Sequence, residues 1–262
     1  MFDHIAQPIS YQHIELSFPV HLDIKRLDLV HPQISGNKFF KLKYNLLAAK
    51  EQGLSSILTF GGAYSNHIAA TAYAAHLFGL KSIGIIRGEE LAGKPLNPTL
   101  AKAQSLGMQL HFVSRHEYRL RDDANYLQQF PQTYIIPEGG SNELAVQGCQ
   151  EILSQYDLEQ YDVICCAVGT GGTISGLIER SAAHQKVLGF SALKGDFLQQ
   201  AIRQWTKKQN WSLTDVYCWG GYAKTSPELF AFIENFEEQY TLPLEPIYTG
   251  KMMFGLFELI KN

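Results

Sequence analysis

Val163-Ile164-Cys165-Cys166-Ala167-Val168 runs without a charge into Gly169-Thr170-Gly171-Gly172-Thr173, and a helical pattern follows as far as Arg180. A short apolar run bounded by turn residues and followed by a helix reads as a buried strand of an α/β unit. The glycines let backbone come close to a ligand, and the helix that follows turns its positive end toward the loop. A phosphate monoester fits such a turn.

Working outward, the pattern recurs on both sides. Upstream, apolar runs at 57–60, 82–86, 109–113 and 133–136 alternate with helical patterns at 65–78, 98–106 and about 116–130. Downstream, helix is expected at 142–153, 173–180, 196–208, 226–240 and 250–260, with strands at 187–190 and 215–219. Such alternation calls for mostly parallel sheets flanked by helices, with right-handed crossovers. The fold class expected is α/β in two lobes: a large one from 1–43 and 138–262, and a small one at 44–137.

The 262 residues suffice for two modest lobes, and hydrophobic residues make up 45% against 18% charged. A net charge of -3, with no basic track interleaved with aromatics, disfavours nucleic acid as a partner. No leader pattern opens the chain and no apolar run reaches 18 residues, so a cytoplasmic protein is expected, with no membrane partner. The four cysteines lack C-x-x-C spacing and read as structural thiols. No zinc site is expected either. His4, His13, His21 and His31 are spread through an irregular start, and H-E-x-x-H is absent. No G-x-G-x-x-G fingerprint opens the first unit, and residues 169–173 lack the Walker lysine, so dinucleotide and nucleoside triphosphate sites are disfavoured.

Two further segments carry chemistry. Lys38 follows Ser35-Gly36-Asn37 and precedes Phe39-Phe40, whose apolar surroundings can lower an amine pKa and make it a nucleophile. Lys41 and Lys43 are its rivals. Gly61-Gly62-Ala63-Tyr64-Ser65-Asn66-His67 lies where a strand gives way to a helix, with hydroxyl, amide and first-turn N–H groups that can receive a carboxylate or a ring oxygen. Plain N-capping by Ser65 is the bland alternative. Later, Tyr222 and Tyr248 offer phenols that serve either a reacting carbon or a core, and Thr249 offers a neutral hydroxyl. An early lysine together with a distant donor-rich glycine turn is what an enzyme needs to hold a phosphorylated aldehyde cofactor.

With Pro137-Glu138-Gly139-Gly140-Ser141-Asn142 and Pro246-Ile247-Tyr248-Thr249-Gly250-Lys251 added, these motifs span nearly the whole chain. Together they resemble the 1-aminocyclopropane-1-carboxylate deaminase and D-cysteine desulfhydrase family of pyridoxal-phosphate enzymes, which have the tryptophan-synthase beta-subunit fold, fold type II.

The resemblance implies pyridoxal 5'-phosphate as cofactor, held covalently by Lys38, which also transfers protons. It further implies Asn66 on the cofactor's 3'-oxygen, the phosphate on Gly169, Thr170, Gly171, Gly172 and Thr173, and Thr249 facing the pyridine nitrogen. Ser65, Asn66 and His67 are the implied substrate-binding residues, with Ser65 at the substrate carboxylate, and Lys38, Ser65, Tyr222 and Tyr248 take the catalytic positions. A small amino acid is the expected substrate and a homodimer the expected assembly. Threonine at 249, where cyclopropane deaminases carry glutamate, implies β-elimination from D-cysteine, with release of pyruvate, ammonia and sulfide. Ring-opening deamination to 2-oxobutanoate is the alternative, and a non-catalytic cofactor-binding protein the reading from another class.

Overall fold

The structure is a computed structural model describing residues 1–261. Its strands are β1 (Tyr11–Ile14), β2 (Leu22–Lys25), β3 (Ser56–Gly61), β4 (Lys81–Arg87), β5 (Met108–Val113), β6 (Tyr134–Ile136), β7 (Val163–Val168), β8 (Lys186–Ser191) and β9 (Trp211–Thr214). The helices are α1 (Asn37–Glu51), α2 (Asn66–Leu77), α3 (Pro98–Ser105), the single turn α4 (Ala124–Leu127), α5 (Glu143–Gln150), α6 (Gln155–Gln160), α7 (Gly172–Arg180), α8 (Phe197–Trp205), α9 (Pro227–Tyr240) and α10 (Thr249–Lys261). By contact the chain divides into two compact units, Met1–Ser10 with Arg26–Gly148, and Tyr11–Lys25 with the chain from Cys149 onward. This α/β architecture is the expected class, although the contact units follow other boundaries than the expected lobes.

The first unit is built on a parallel sheet of order β5-β4-β3-β6. Leu58, Phe60 and Ile85 pack with Val113, Tyr118 and Tyr126 in one cluster, while Ile68, Ala72, Ile86, Leu100, Ala103 and Met108 form another with α2 and α3. Burial of such side chains is worth about 1.5–3 kcal/mol each, so two layers around one sheet supply the driving force. Gly148 permits a close approach in this unit. A Cβ there would lie 2.1 Å from the Phe40 carbonyl oxygen, so α5 reaches the backbone of α1 only through glycine.

The second unit carries a parallel sheet of order β7-β8-β9. An apolar cluster there gathers Ile14, Leu229, Ile233, Phe236, Leu242, Leu244 and Met253. Its antiparallel hairpin, β1 with β2, was not expected from a start that reads as irregular. Lys25 on β2 donates to Asp157, which also accepts from the Tyr11 hydroxyl and closes a capping box with Ser154.

Two further elements differ from expectation. The third strand of the second sheet is Trp211–Thr214 rather than 215–219, because the former pairs in register with β8. The apolar Val216 is 76% exposed instead, and Asp215 accepts the Gly195 N–H in a turn. The single helix expected at 116–130 is broken. A 3-10 turn at Glu117–Leu120 gives way to Asp123, whose carboxylate accepts the N–H groups of Asn125 and Tyr126 and starts a new turn.

Gly148→Ala should cost about 1–3 kcal/mol through overpacking against backbone, read as a lower midpoint in thermal or urea unfolding. Acid should act through Asp157. Burial opposes its ionisation, but hydrogen bonds from Lys25, Ser154 and Tyr11 outweigh it and hold its pKa below the ordinary carboxylate value. The stabilisation is therefore present above the unfolded-state value and lost as pH falls through the folded one. The melting-temperature gap between wild type and Asp157→Asn should be largest at neutral pH and shrink below about pH 4.

Candidate active site

In the first unit, Gly36 takes a φ of +66° and turns the chain into α1, which places Lys38 in the opening turn. The Lys38 side chain is half-buried and donates to the Asn37 amide oxygen at 2.9 Å. Its rivals are committed to structure. Lys41 is buried and donates to the Gly139 carbonyl (2.6 Å) and the Ser141 hydroxyl (2.7 Å), while Lys43 pairs with Asp3. Of the three lysines, packing gives Lys41 and Lys43 charge-assisted bonds to the scaffold.

The turn that Lys41 holds is the Pro137 to Asn142 motif, to which sequence reasoning gave no role. Gly139 and Gly140 both have positive φ, and a Cβ on Gly140 would meet the His67 ring at 2.8 Å. Asn142 and Asn45 exchange amide hydrogen bonds, and Asn142 also accepts the Ala145 N–H at the start of α5. The signal for this network was the polar Asn45 and Lys41 on an otherwise apolar helical face.

Gly61 ends β3 with its Cα against Ser65 and Ile68, a space too small for any side chain, and α2 begins five residues later. Ser65 is the N-cap, its hydroxyl oxygen accepting the Ile68 N–H at 3.3 Å. The bland reading is thus realised, and the hydroxyl proton remains for a ligand. Asn66 is exposed.

The His67 imidazole is buried, with Nε2 at 2.7 Å from the Thr59 hydroxyl, which itself donates to the Ile136 carbonyl. Nε2 therefore carries the proton, and Nδ1 has no hydrogen-bond partner. Burial, reinforced by repulsion from Lys38 and Lys41, holds the ring neutral, with its pKa well below the ordinary histidine value. What His67 can offer a substrate is its backbone N–H.

In the second unit, β7 leads through 169–171 into α7, whose N-cap Gly171 has a φ of +85°. A Cβ on Gly169 would lie 2.9 Å from the Tyr248 ring, so that aromatic lies directly against the glycine turn. Tyr248 in turn packs edge-on to Tyr222, with centroids 6.1 Å apart. The structure thus brings Gly169, Tyr248 and Tyr222 together.

Thr249 opens α10 beside a carboxylate that sequence reasoning missed. Glu245 accepts the N–H groups of Ile247, Tyr248 and Thr249 at 2.6–2.8 Å, and the Thr249 hydroxyl accepts the Glu245 N–H at 3.0 Å. The Glu245 carboxylate oxygen is 3.4 Å from the Thr249 hydroxyl, so the environment of that neutral group is not free of negative charge. An acidic residue four positions before a hydroxyl at a helix start was the available clue.

Lys251 was also missed. Fully buried, its ammonium donates to the carbonyls of Cys218 and Gly221, both at 2.9 Å, in the loop that presents Tyr222. Burial pushes its pKa down from the ordinary lysine value. That loop contains four residues with positive φ, Trp219, Gly220, Gly221 and Ala223, two of them not glycine, so an external clamp is needed to hold it.

An open cavity of about 330 Å³ lined by Arg87, Arg115, Tyr118, Arg119, Arg121 and Glu138 contains none of the candidate residues. Among the described residues no helix is long and apolar enough to cross a membrane.

Each unit is a parallel α/β scaffold; the second carries a glycine turn at a helix N-terminus, and the first a half-buried lysine at a helix start, features suited to an aldehyde cofactor with a phosphate. The family pattern described as "Pyridoxal-phosphate dependent enzyme" matches residues 16–262, and the chain belongs to that family. It is 30% identical to the mitochondrial bifunctional D-cysteine desulfhydrase/1-aminocyclopropane-1-carboxylate deaminase of Arabidopsis thaliana, over 98% of this chain and 72% of that protein. Identity to the D-cysteine desulfhydrase of Klebsiella pneumoniae strain 342 is 27%, over 90% and 80% of the two chains. A solved structure titled as an ACC deaminase homologue superposes with a TM-score of 0.83 at 24% identity, covering 98% of this chain and 86% of that one, and so shares the fold.

Lys251→Met should take the charged donor from two loop carbonyls, leaving each with one backbone N–H, and lower stability by about 1–3 kcal/mol. Limited trypsin digestion should then cut faster at Lys224, with the fragment identified by mass spectrometry.

Proposed function

We propose that this pyridoxal-phosphate-dependent enzyme is a lyase acting on a small amino acid, foremost D-cysteine. The observation that carries the reading is the contrast among the early lysines: Lys41 and Lys43 serve the scaffold, and Lys38 stands at the helix start. The residues suit the cofactor. Gly171 holds the positive φ that opens α7, and the N–H groups of that first turn supply donors for a phosphate. Lys38 is the covalent partner, Asn66 serves the 3'-oxygen and Thr249 the pyridine nitrogen. These residues divide between a large lobe of 1–43 and 138–262 and a small one at 44–137, in an enzyme read as cytoplasmic and homodimeric.

When bound, pyridoxal phosphate withdraws electrons from the substrate α-carbon. The chain's own residues do the rest. The Ser65 hydroxyl and the first-turn N–H groups of Asn66 and His67 receive the substrate carboxylate. Lys38 Nζ takes the α-proton as general base. The Tyr222 and Tyr248 phenols border the leaving group and can return a proton to it. D-cysteine then loses its β C–S bond with release of sulfide, and the aminoacrylate left behind takes up water to give pyruvate and ammonia.

Threonine at 249 favours this elimination, because a thiolate leaves more readily than a strained but unactivated ring carbon. A second reading, opening of 1-aminocyclopropane-1-carboxylate to 2-oxobutanoate and ammonia, is favoured by one observation. The Glu245 carboxylate lies 3.4 Å from the Thr249 hydroxyl and can support positive charge at the pyridine nitrogen through it.

Borohydride reduction and peptide mapping should find the pyridoxyl group on Lys38, and Lys38→Ala should lose turnover by about 10²–10⁴-fold or more. D-cysteine should release sulfide and pyruvate faster than 1-aminocyclopropane-1-carboxylate releases 2-oxobutanoate. An adduct on Lys41 or Lys43 overturns the lysine assignment, and turnover of the cyclopropane substrate alone overturns the preference for elimination.

A further inference from the structure

The hairpin of β1 and β2 assembles a group of side chains far apart in type from the cofactor chemistry. Its register sets His13 opposite Asp23, and His21 lies two residues before Asp23, so alternation puts all three on one face. His13 Nδ1 is 2.9 Å from one Asp23 carboxylate oxygen, and His21 Nε2 is 2.8 Å from the other. The two imidazoles stack with centroids 4.7 Å apart, and the three ligand atoms all lie within 4.8 Å of one another. Of the four histidines expected to be spread through the start, His13 and His21 come together on Asp23.

The layout is that of a partly open coordination shell. The Asp23 side chain is only 9% exposed and forms the floor, while the imidazoles are 53% and 65% exposed and form walls open to water. The Tyr161 hydroxyl donates to Asp23 from the side and fixes the carboxylate, as an outer partner fixes a metal ligand. We propose that His13, His21 and Asp23 form a surface site for a divalent transition-metal ion, zinc foremost, which ties the loop end of the first hairpin.

Two imidazole nitrogens with one carboxylate oxygen suit zinc, nickel, cobalt or copper ions, and suit magnesium or calcium poorly. At bond lengths of about 2.0–2.2 Å, ligands of a tetrahedral ion lie about 3.3 Å apart. The two short contacts, each to a different Asp23 oxygen, open by a few tenths of an ångström, and the ligand atoms, now within 4.8 Å of one another, draw in to that spacing. On binding, His13 and His21 each shift their proton to the ring nitrogen facing water, or release it if charged, and the lone pair so freed enters the shell together with Asp23. Water completes the remaining positions.

The test uses the cofactor-loaded protein, cleared of adventitious metal with a chelator and then dialysed. Zinc chloride is titrated calorimetrically and against a chromophoric competing chelator, with wild type, His13→Ala and His21→Ala compared. We expect one equivalent bound, a rise in melting temperature on zinc addition, and an affinity loss of about tenfold or more in each variant, with magnesium failing to compete. Both rings are largely exposed, so the variants keep the fold, and circular dichroism checks this. Two results overturn the site: no saturation by about millimolar zinc, which leaves only two histidine-carboxylate pairs, or equal affinity in all three proteins, which moves the metal elsewhere.

Discussion

Parallel pairing of strands is the constraint on which the rest depends. A strand that must be followed by a crossover helix delivers its carboxyl end to a helix amino end, where N–H groups have no partner inside the helix. β3 feeds α2 and β7 feeds α7 in this way. Both loops consequently hold backbone donors, and glycine is needed where the chain closes tightly, at Gly61 against Ile68 and at Gly171 with its positive φ. The candidate ligand groups Ser65, Asn66 and Gly172 are where the topology makes donors available.

Buried ammonium groups then stiffen what the sheets position. Lys41 bonds the Gly139 carbonyl and Ser141, and Lys251 bonds the Cys218 and Gly221 carbonyls. Each spans to a loop that contains positive-φ residues. A buried charge is costly unless it is bonded, and each ammonium is bonded to two oxygen acceptors of its loop. The same chemistry explains why three lysines close together near residue 40 have different fates.

Glu245 alters the electrostatic reading of Thr249. Threonine by itself is a neutral group, yet a carboxylate stands beside its hydroxyl and is itself stabilised by three backbone N–H groups. Charge at such a position belongs to the pair rather than to a single side chain. The family to which the chain belongs includes relatives named for both reactions, one of them bifunctional.

The order of strands and helices was legible in the sequence, since apolar runs such as 163–168 and amphipathic stretches such as 227–240 follow local periodicity. So were the glycine turns, because positive φ and close approach demand particular residue types. The sequence by itself determined the α/β class and the cofactor family. Where local signals competed, it did not decide: the run at 215–219 is as apolar as a strand, but only Trp211–Thr214 finds a partner on β8. Tertiary structure alone decided that Lys41 and Lys43 are committed, that His67 turns its ring inward, that Glu245 stands behind Thr249, and that His13 meets His21 on Asp23. Each depends on hydrogen bonds between residues whose juxtaposition is set by strand register and helix packing, and sequence spacing carries no record of these.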